Sequence, residues 1–222
     1  MSRLHDVRLP LLVALPALVI AGLGLAHPVF LTPETAERWR LAHLLLLPAF
    51  PLLAVSVWLV LRGDRGPVAW AARLLALAYA VLYGALDSIA GLGAPHQVLR
   101  TEQRGEPRPP VEDLYDIGDR LGEVGVVALA ASLALTAVVV TRRGRVVPAL
   151  LGGTVAVLAC YPFLRHHVFP PRGVLAVLAI GVGLALLEVA RSAQVSGRPD
   201  APGSTTVPPD PRARGAADRS AG

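Results

Sequence analysis

Histidines and carboxylates are the side chains of this sequence that could exchange protons near neutral pH or hold a metal ion, and their placement is uneven. His27, His43, Asp87, His96, Glu123, His166 and His167 each fall at or near the end of an apolar segment. They fall at alternate ends, so a chain that crosses a layer back and forth would carry all of them to one side. Of the histidines only His5 belongs to the other side, and the connection over residues 93–120 adds Glu102, Glu106, Glu112, Asp113, Asp116 and Asp119 to the first. The chemistry this permits is ligand binding or proton exchange in a polar pocket, for which the candidate residues are His43, Asp87, Asp119, Glu123 and Arg40.

Asp87 is the sharpest of these, because it stands inside an apolar segment. An ionised carboxylate at the centre of a bilayer costs ~2.5–3.5 kcal/mol on insertion scales, and less toward the edge. It therefore needs a partner, and His43, Arg40, Arg120 or the His166–His167 pair are the candidates, with Ser88 able to donate locally. Nitrogen ligands with a carboxylate suit zinc or copper, so His43, Asp87, His166 and His167 also form a candidate metal set. No HxxxH or HExxH spacing brings two of them to one helix face. Haem would need two facing histidines at matched depth, or one histidine and another axial ligand. No particular cofactor follows from these residues.

Glu112, Asp116, Asp119 and Glu123 recur at helical spacing, after Pro109 and Pro110, which would mark the start of a helix. Acids favour the positive end of a helix dipole, so the stripe reads as a cap. Read functionally, it is a funnel for cations, partly neutralised by Arg120.

The elements that must position these groups are membrane helices. The chain is 54% hydrophobic with a mean hydropathy of +0.55 over 222 residues, more than a soluble core of this size requires. Six stretches approach the ~20 apolar residues that cross ~30 Å of hydrocarbon: 9–26, 41–61, 68–92, 121–141, 146–164 and 173–190. The predicted fold is an all-α, six-helix transmembrane domain over residues 1–191, followed by a disordered cytoplasmic tail, 192–222, built of Pro, Gly, Ala, Ser, Arg and Asp. Gly118 and Gly122 form a small-xxx-small pair suited to close helix packing. An alternative for residues 1–26 is a cleavable signal peptide, since Arg3 and Arg8 precede an apolar run ending in Gly24-Leu25-Ala26.

All basic residues apart from histidine are Arg, and Lys and Asn are absent, which fits a GC-rich bacterial genome. The Arg residues are scattered between apolar segments without aromatic interleaving, so the net charge of +5 is a topology signal and nucleic acid is not an expected partner. With the N-terminus inside, thirteen Arg fall inside and eight outside, so both termini are expected in the cytoplasm and the histidine side outside. Cys160 is the lone cysteine, which rules out an intrachain disulfide. Trp39, Trp58, Trp70, Tyr115 and Tyr161 lie toward span ends as an interfacial belt would, Arg73 can snorkel inward, and Glu188 can pair with Arg191. No GxSxG, P-loop, GxGxxG or CxxCH motif is present.

The residues His27-Pro28, Leu31-Thr32-Pro33, Trp39-Arg40, His43, Leu47 to Leu53, Tyr83 to Asp87 and Ala90-Gly91 resemble a group of uncharacterised actinobacterial multi-span membrane proteins. The resemblance covers the first ~95 residues and implies membrane architecture without an activity or cofactor. The expected protein is a small non-enzymatic, multi-pass envelope protein of the bacterial plasma membrane, transporter-like, a sensor or an accessory, with an outer-facing His/carboxylate pocket. Lipid is its solvent, and a membrane-protein partner or a homo-oligomer is compatible with it. The alternative is a membrane enzyme or redox component holding a metal or haem near the outer face. A purely structural bundle would predict that His43 and Asp87 do not touch.

Overall fold

The computed structural model describes residues 2–107, 110–143 and 145–195, with side chains described from residue 8 to residue 192. Pro109, expected to help mark a helix start, and residues 196–222 of the expected tail lie outside the described residues. The elements are α1 (Ser2–Leu25), α2 (Pro33–Val60), α3 (Pro67–Leu86), a π-helical segment (Asp87–Gly93), α4 (Ala94–Arg104), α5 (Glu112–Arg143), α6 (Val146–His166) and α7 (Arg172–Val195). The described residues form an all-helical protein in which six helices are long and apolar enough to cross a membrane. Helices are what the medium demands, because hydrocarbon offers no hydrogen-bond partner to an open backbone.

Consecutive membrane-length helices run antiparallel and pack side by side, α1 on α2, α2 on α3, α3 on α5, α5 on α6 and α6 on α7. Contact of α7 with α1 closes the ring. The interior is filled by Ile20, Phe50, Leu53, Tyr79, Tyr83, Leu129, Phe163 and Ile180, while Leu11, Leu15, Leu74, Val81, Val127 and Leu158 face outward. Association of such helices rests on close packing, since apolar side chains gain nothing by leaving lipid for protein. Gly118 and Gly122 serve it as their spacing predicts: a Cβ at either would collide with Ala90 or Leu86.

The helices are longer than the apolar stretches. α2 has 28 residues, α5 has 32, and α3 runs through the π segment into α4 for 38 without a break, against about 20 needed for the hydrocarbon core. The expected long loop over 93–120 is thus mostly helix, with only 105–111 between α4 and α5. Hydropathy marks the part of a helix that lies in lipid and is blind to its polar continuation. The start of α2 did carry a signal of another kind. Thr32 Oγ1 accepts from the Thr35 amide at 3.3 Å, Thr35 Oγ1 accepts from the Thr32 amide at 2.8 Å, and Pro33 occupies the first helical position. The continuations pack on one another through Leu31, Ala36, Trp39, Ala94, Val98 and Val111, a second small core above the main one.

Candidate functional site

The site begins at the π-helical segment. A π turn displaces the residues after it from α-helical register and is frequent at functional sites. Asp87 opens it, fully buried. Gly91 lies one turn on, against α2, and a Cβ there would run into the His43 imidazole. Glycine at 91 is what lets the His43 ring lie flat on this backbone and reach Asp87: His43 Nδ1 is 2.5 Å from Asp87 Oδ1.

From there a chain of hydrogen bonds leads to the α1–α2 connection. His43 Nε2 is 2.9 Å from His27 Nε2, and His27 Nδ1 is 2.6 Å from the Pro28 carbonyl. A carbonyl only accepts, so His27 Nδ1 carries a proton. Burial first, then the neighbouring His43, push His27 down to about 4, the Pro28 carbonyl opposing them only in part, so the His27 ring is neutral near pH 7. His27 Nε2 is then an acceptor and His43 Nε2–H donates to it. The remaining His43 nitrogen faces a carboxyl oxygen, and two lone pairs 2.5 Å apart require a cation between them. With a proton in that place the relay holds three protons in three hydrogen bonds and is neutral overall, as buried groups in a dry bundle must be.

His167 completes the cluster from the other side. It follows α6 with a φ of 49°, a left-handed value uncommon outside glycine and costing about 1–3 kcal/mol where a side chain must bear it. That turn stacks its ring on His43, with centroids 5.8 Å apart, and brings Nδ1 against the Tyr83 hydroxyl. Burial, with His43 and His27 close by, holds His167 well below the usual histidine range. Its Nε2 is buried with no hydrogen-bond partner among the described residues, and so is Asp87 Oδ2. Trp39, Phe50, Phe163 and Phe169 close around the three imidazoles.

Above the cluster is a partly open cavity of about 620 Å³. His43, Tyr83 and His167 line it from below, Asp119 and Glu123 from α5, Arg165 and His166 from the end of α6, and Phe169 from the α6–α7 connection. The structure therefore brings His43, Asp87 and His167 together and places Asp119, Glu123 and His166 around the same cavity. Arg40 is elsewhere: it forks onto Glu37 at 3.1 and 2.6 Å on the exposed side of α2, an easy i, i+3 pair, and does not reach Asp87. His166 is likewise not in the cluster, because adjacent residues leaving a helix diverge and only His167 turns inward. The stacked His43 and His167 rings do not point at each other across a gap, which excludes them as the two axial ligands of one haem iron.

Two members of the site were not among the residues singled out for it. The sequence places His27 on this side of the chain without indicating its partner, and Tyr83 carries no signal beyond a polar tip in an apolar span. Trp39, expected in the interfacial belt, is buried against His27 and His43, whereas Trp58, Trp70 and Tyr161 are exposed as a belt requires. Contact between His43 and Asp87 is the opposite of what a purely structural bundle predicts.

Fold and site together define a class: a multi-pass, all-helical protein with a lipid-facing girdle of leucine and valine and a buried His/Asp cluster under a cavity at one end of the bundle. No protein-family model matches the chain, and neither a curated protein nor a solved structure matches it.

Proposed function

We propose that the protein is a small non-enzymatic component of the bacterial plasma membrane, transporter-like or sensory, that binds a small solute in the cavity and exchanges a proton at the His27–His43–Asp87 relay. The observation that carries this reading is the 2.5 Å contact between His43 Nδ1 and Asp87 Oδ1, a place for one shared proton that is buried in the bundle yet borders the cavity through His43. A solute that offered or withdrew charge beside His43 would change where that proton rests, and the relay could pass it toward His27 without a large motion. Intramembrane ionisable groups of this kind mark ion and proton pathways more often than they mark stability. The excess of Arg at the opposite end supports a cytoplasmic placement of both termini, so the cavity opens outward.

The test is pH-difference infrared spectroscopy on the protein in vesicles. A protonated-carboxyl band should titrate in the native chain and vanish in Asp87→Asn, while Asp119→Asn and Glu123→Gln keep it. A spectrum without such a band between pH 4 and 9, or one that Asp87→Asn leaves unchanged, refutes the reading.

A further inference from the structure

We infer that the His43–Asp87–His167 cluster is a binding site for one divalent transition-metal ion of the zinc class, reached through the cavity. The inference rests on the cavity reading and names the kind of solute it takes. Each of the three side chains contributes one ligand atom, and the three atoms lie within 4.8 Å of one another. Two imidazole nitrogens and a carboxylate oxygen are a donor set that suits zinc and its neighbours, and they leave a coordination position for water or a travelling ligand.

What separates this cluster from a chance gathering of polar groups is how its other atoms are held. A metal-binding histidine almost always has its second nitrogen anchored, which fixes both tautomer and ring orientation. His43 is anchored at Nε2 by His27, itself fixed by the Pro28 carbonyl, and turns Nδ1 toward Asp87. His167 is anchored at Nδ1 by Tyr83 and leaves Nε2 buried without a partner. Asp87 gives one oxygen to His43 and has no partner for the other. The anchored nitrogens, His43 Nε2 and His167 Nδ1, leave the other nitrogen of each ring for a ligand, and the unpartnered atoms belong to two of the three ligands. Tyr83 and His27 thus act as positioning residues for the two imidazoles.

The shared proton and the metal compete for one place. Ligand bonds of ~2.0–2.2 Å in a tetrahedron set nitrogen and oxygen about 3.3 Å apart, so His43 Nδ1 and Asp87 Oδ1 must part by roughly 0.8 Å as the ion replaces the proton. The balance is simple: one metal ion in, and the proton between His43 and Asp87 released to solvent, with no change of oxidation state. His167 in the tautomer whose Nδ1–H donates to Tyr83 Oη presents its Nε2 lone pair. Asp119 and Glu123, on the cavity wall, would draw a cation toward the site.

The experiment is titration of the purified full-length protein in mild detergent with Co²⁺ and Zn²⁺, reading the visible spectrum, the bound metal and the protons released. Expected are one Co²⁺ per chain, displaced by Zn²⁺, and about one proton released per ion. Asp87→Asn and His167→Gln should each weaken binding at least tenfold, His27→Ala by about 10- to 100-fold through loss of anchoring, and exposed His96→Ala not at all. Should Asp87→Asn fail to fold, His167→Gln carries the comparison. Absence of stoichiometric Co²⁺ binding by the native chain, or full binding by His167→Gln, overturns the metal site. If the Asp87 carboxyl band still titrates in that case, the proton-exchange reading stands alone; if it does not, both fall.

Discussion

Two fully buried carboxylates lie at opposite ends of the bundle, and they are treated in opposite ways. Glu188, near the end of α7, has every oxygen occupied: Arg62 forks onto it at 2.6 and 2.6 Å, Arg191 reaches it at 3.2 and 3.1 Å, and Ser192 Oγ donates at 2.7 Å. Asp87 has one oxygen on His43 and the other unpaired. Other charges at that end are also held by structure. Arg73 donates to the Leu61 and Asp64 carbonyls at 2.6 and 2.8 Å between the rings of Trp58 and Trp70, and Arg143 pairs with Asp64. The Arg73 head group turns back toward the near end of its span, the direction expected of it, but it stays buried there because the Leu61 and Asp64 carbonyls in the α2–α3 connection accept its hydrogen bonds. A satisfied carboxylate ties α2 to α7; a half-satisfied one keeps an atom free for a ligand.

The contrast breaks most visibly under Glu188→Ala. That change strands Arg62 and Arg191, and loss of one partner from a buried ion pair costs about 3–5 kcal/mol, toward the lower figure here because Arg62 keeps some contact with water. Thermal unfolding in detergent should show it, and an unchanged midpoint would mean that the cluster at that end is ornamental to stability. Mild acid attacks the other end. His27 is held at about 4 against 6.5 unfolded, so the unfolded chain binds more protons between those values. Stability present above about pH 6.5 is lost as pH falls toward 4, by up to about 3 kcal/mol. Hydrogen exchange should then loosen the start of α2 before the end of α7, and His27→Phe should flatten that dependence.

Gly91→Ala should cost about 1–3 kcal/mol by forcing the His43 ring off its seat. The infrared band of Asp87 should shift with it, whereas Gly84→Ala, where a Cβ meets nothing within 4 Å, should do neither. Smallest is the effect of Asp87→Asn on stability, less than about 1 kcal/mol or even a gain, since the amide still pairs with His43 and no buried charge remains. If Asp87→Asn instead destabilised the protein as much as Glu188→Ala, the two carboxylates would be doing the same structural work.

Much of this architecture is legible in the amino-acid sequence. Six spans follow from apolar runs because lipid thickness imposes a length, and gathering of the histidines at one end follows from counting crossings. Glu188 with Arg191 follows from an i, i+3 spacing, though Arg62, 126 residues away, does not. The length of α2 was written in Thr32, Pro33 and Thr35, in the language of capping and not of hydropathy. Arg40 and His166 were drawn into the site by proximity along the chain, which says which end a residue belongs to and nothing of the direction in which it points.

The sequence alone determined the medium, the number of crossings and the end at which chemistry is possible, because these depend on composition and length. Only the tertiary structure decided which groups meet. A π turn that sets Asp87 toward α2, a glycine that admits the His43 ring and a left-handed residue that swings His167 inward are each local departures from regular helix, and no periodic pattern encodes them.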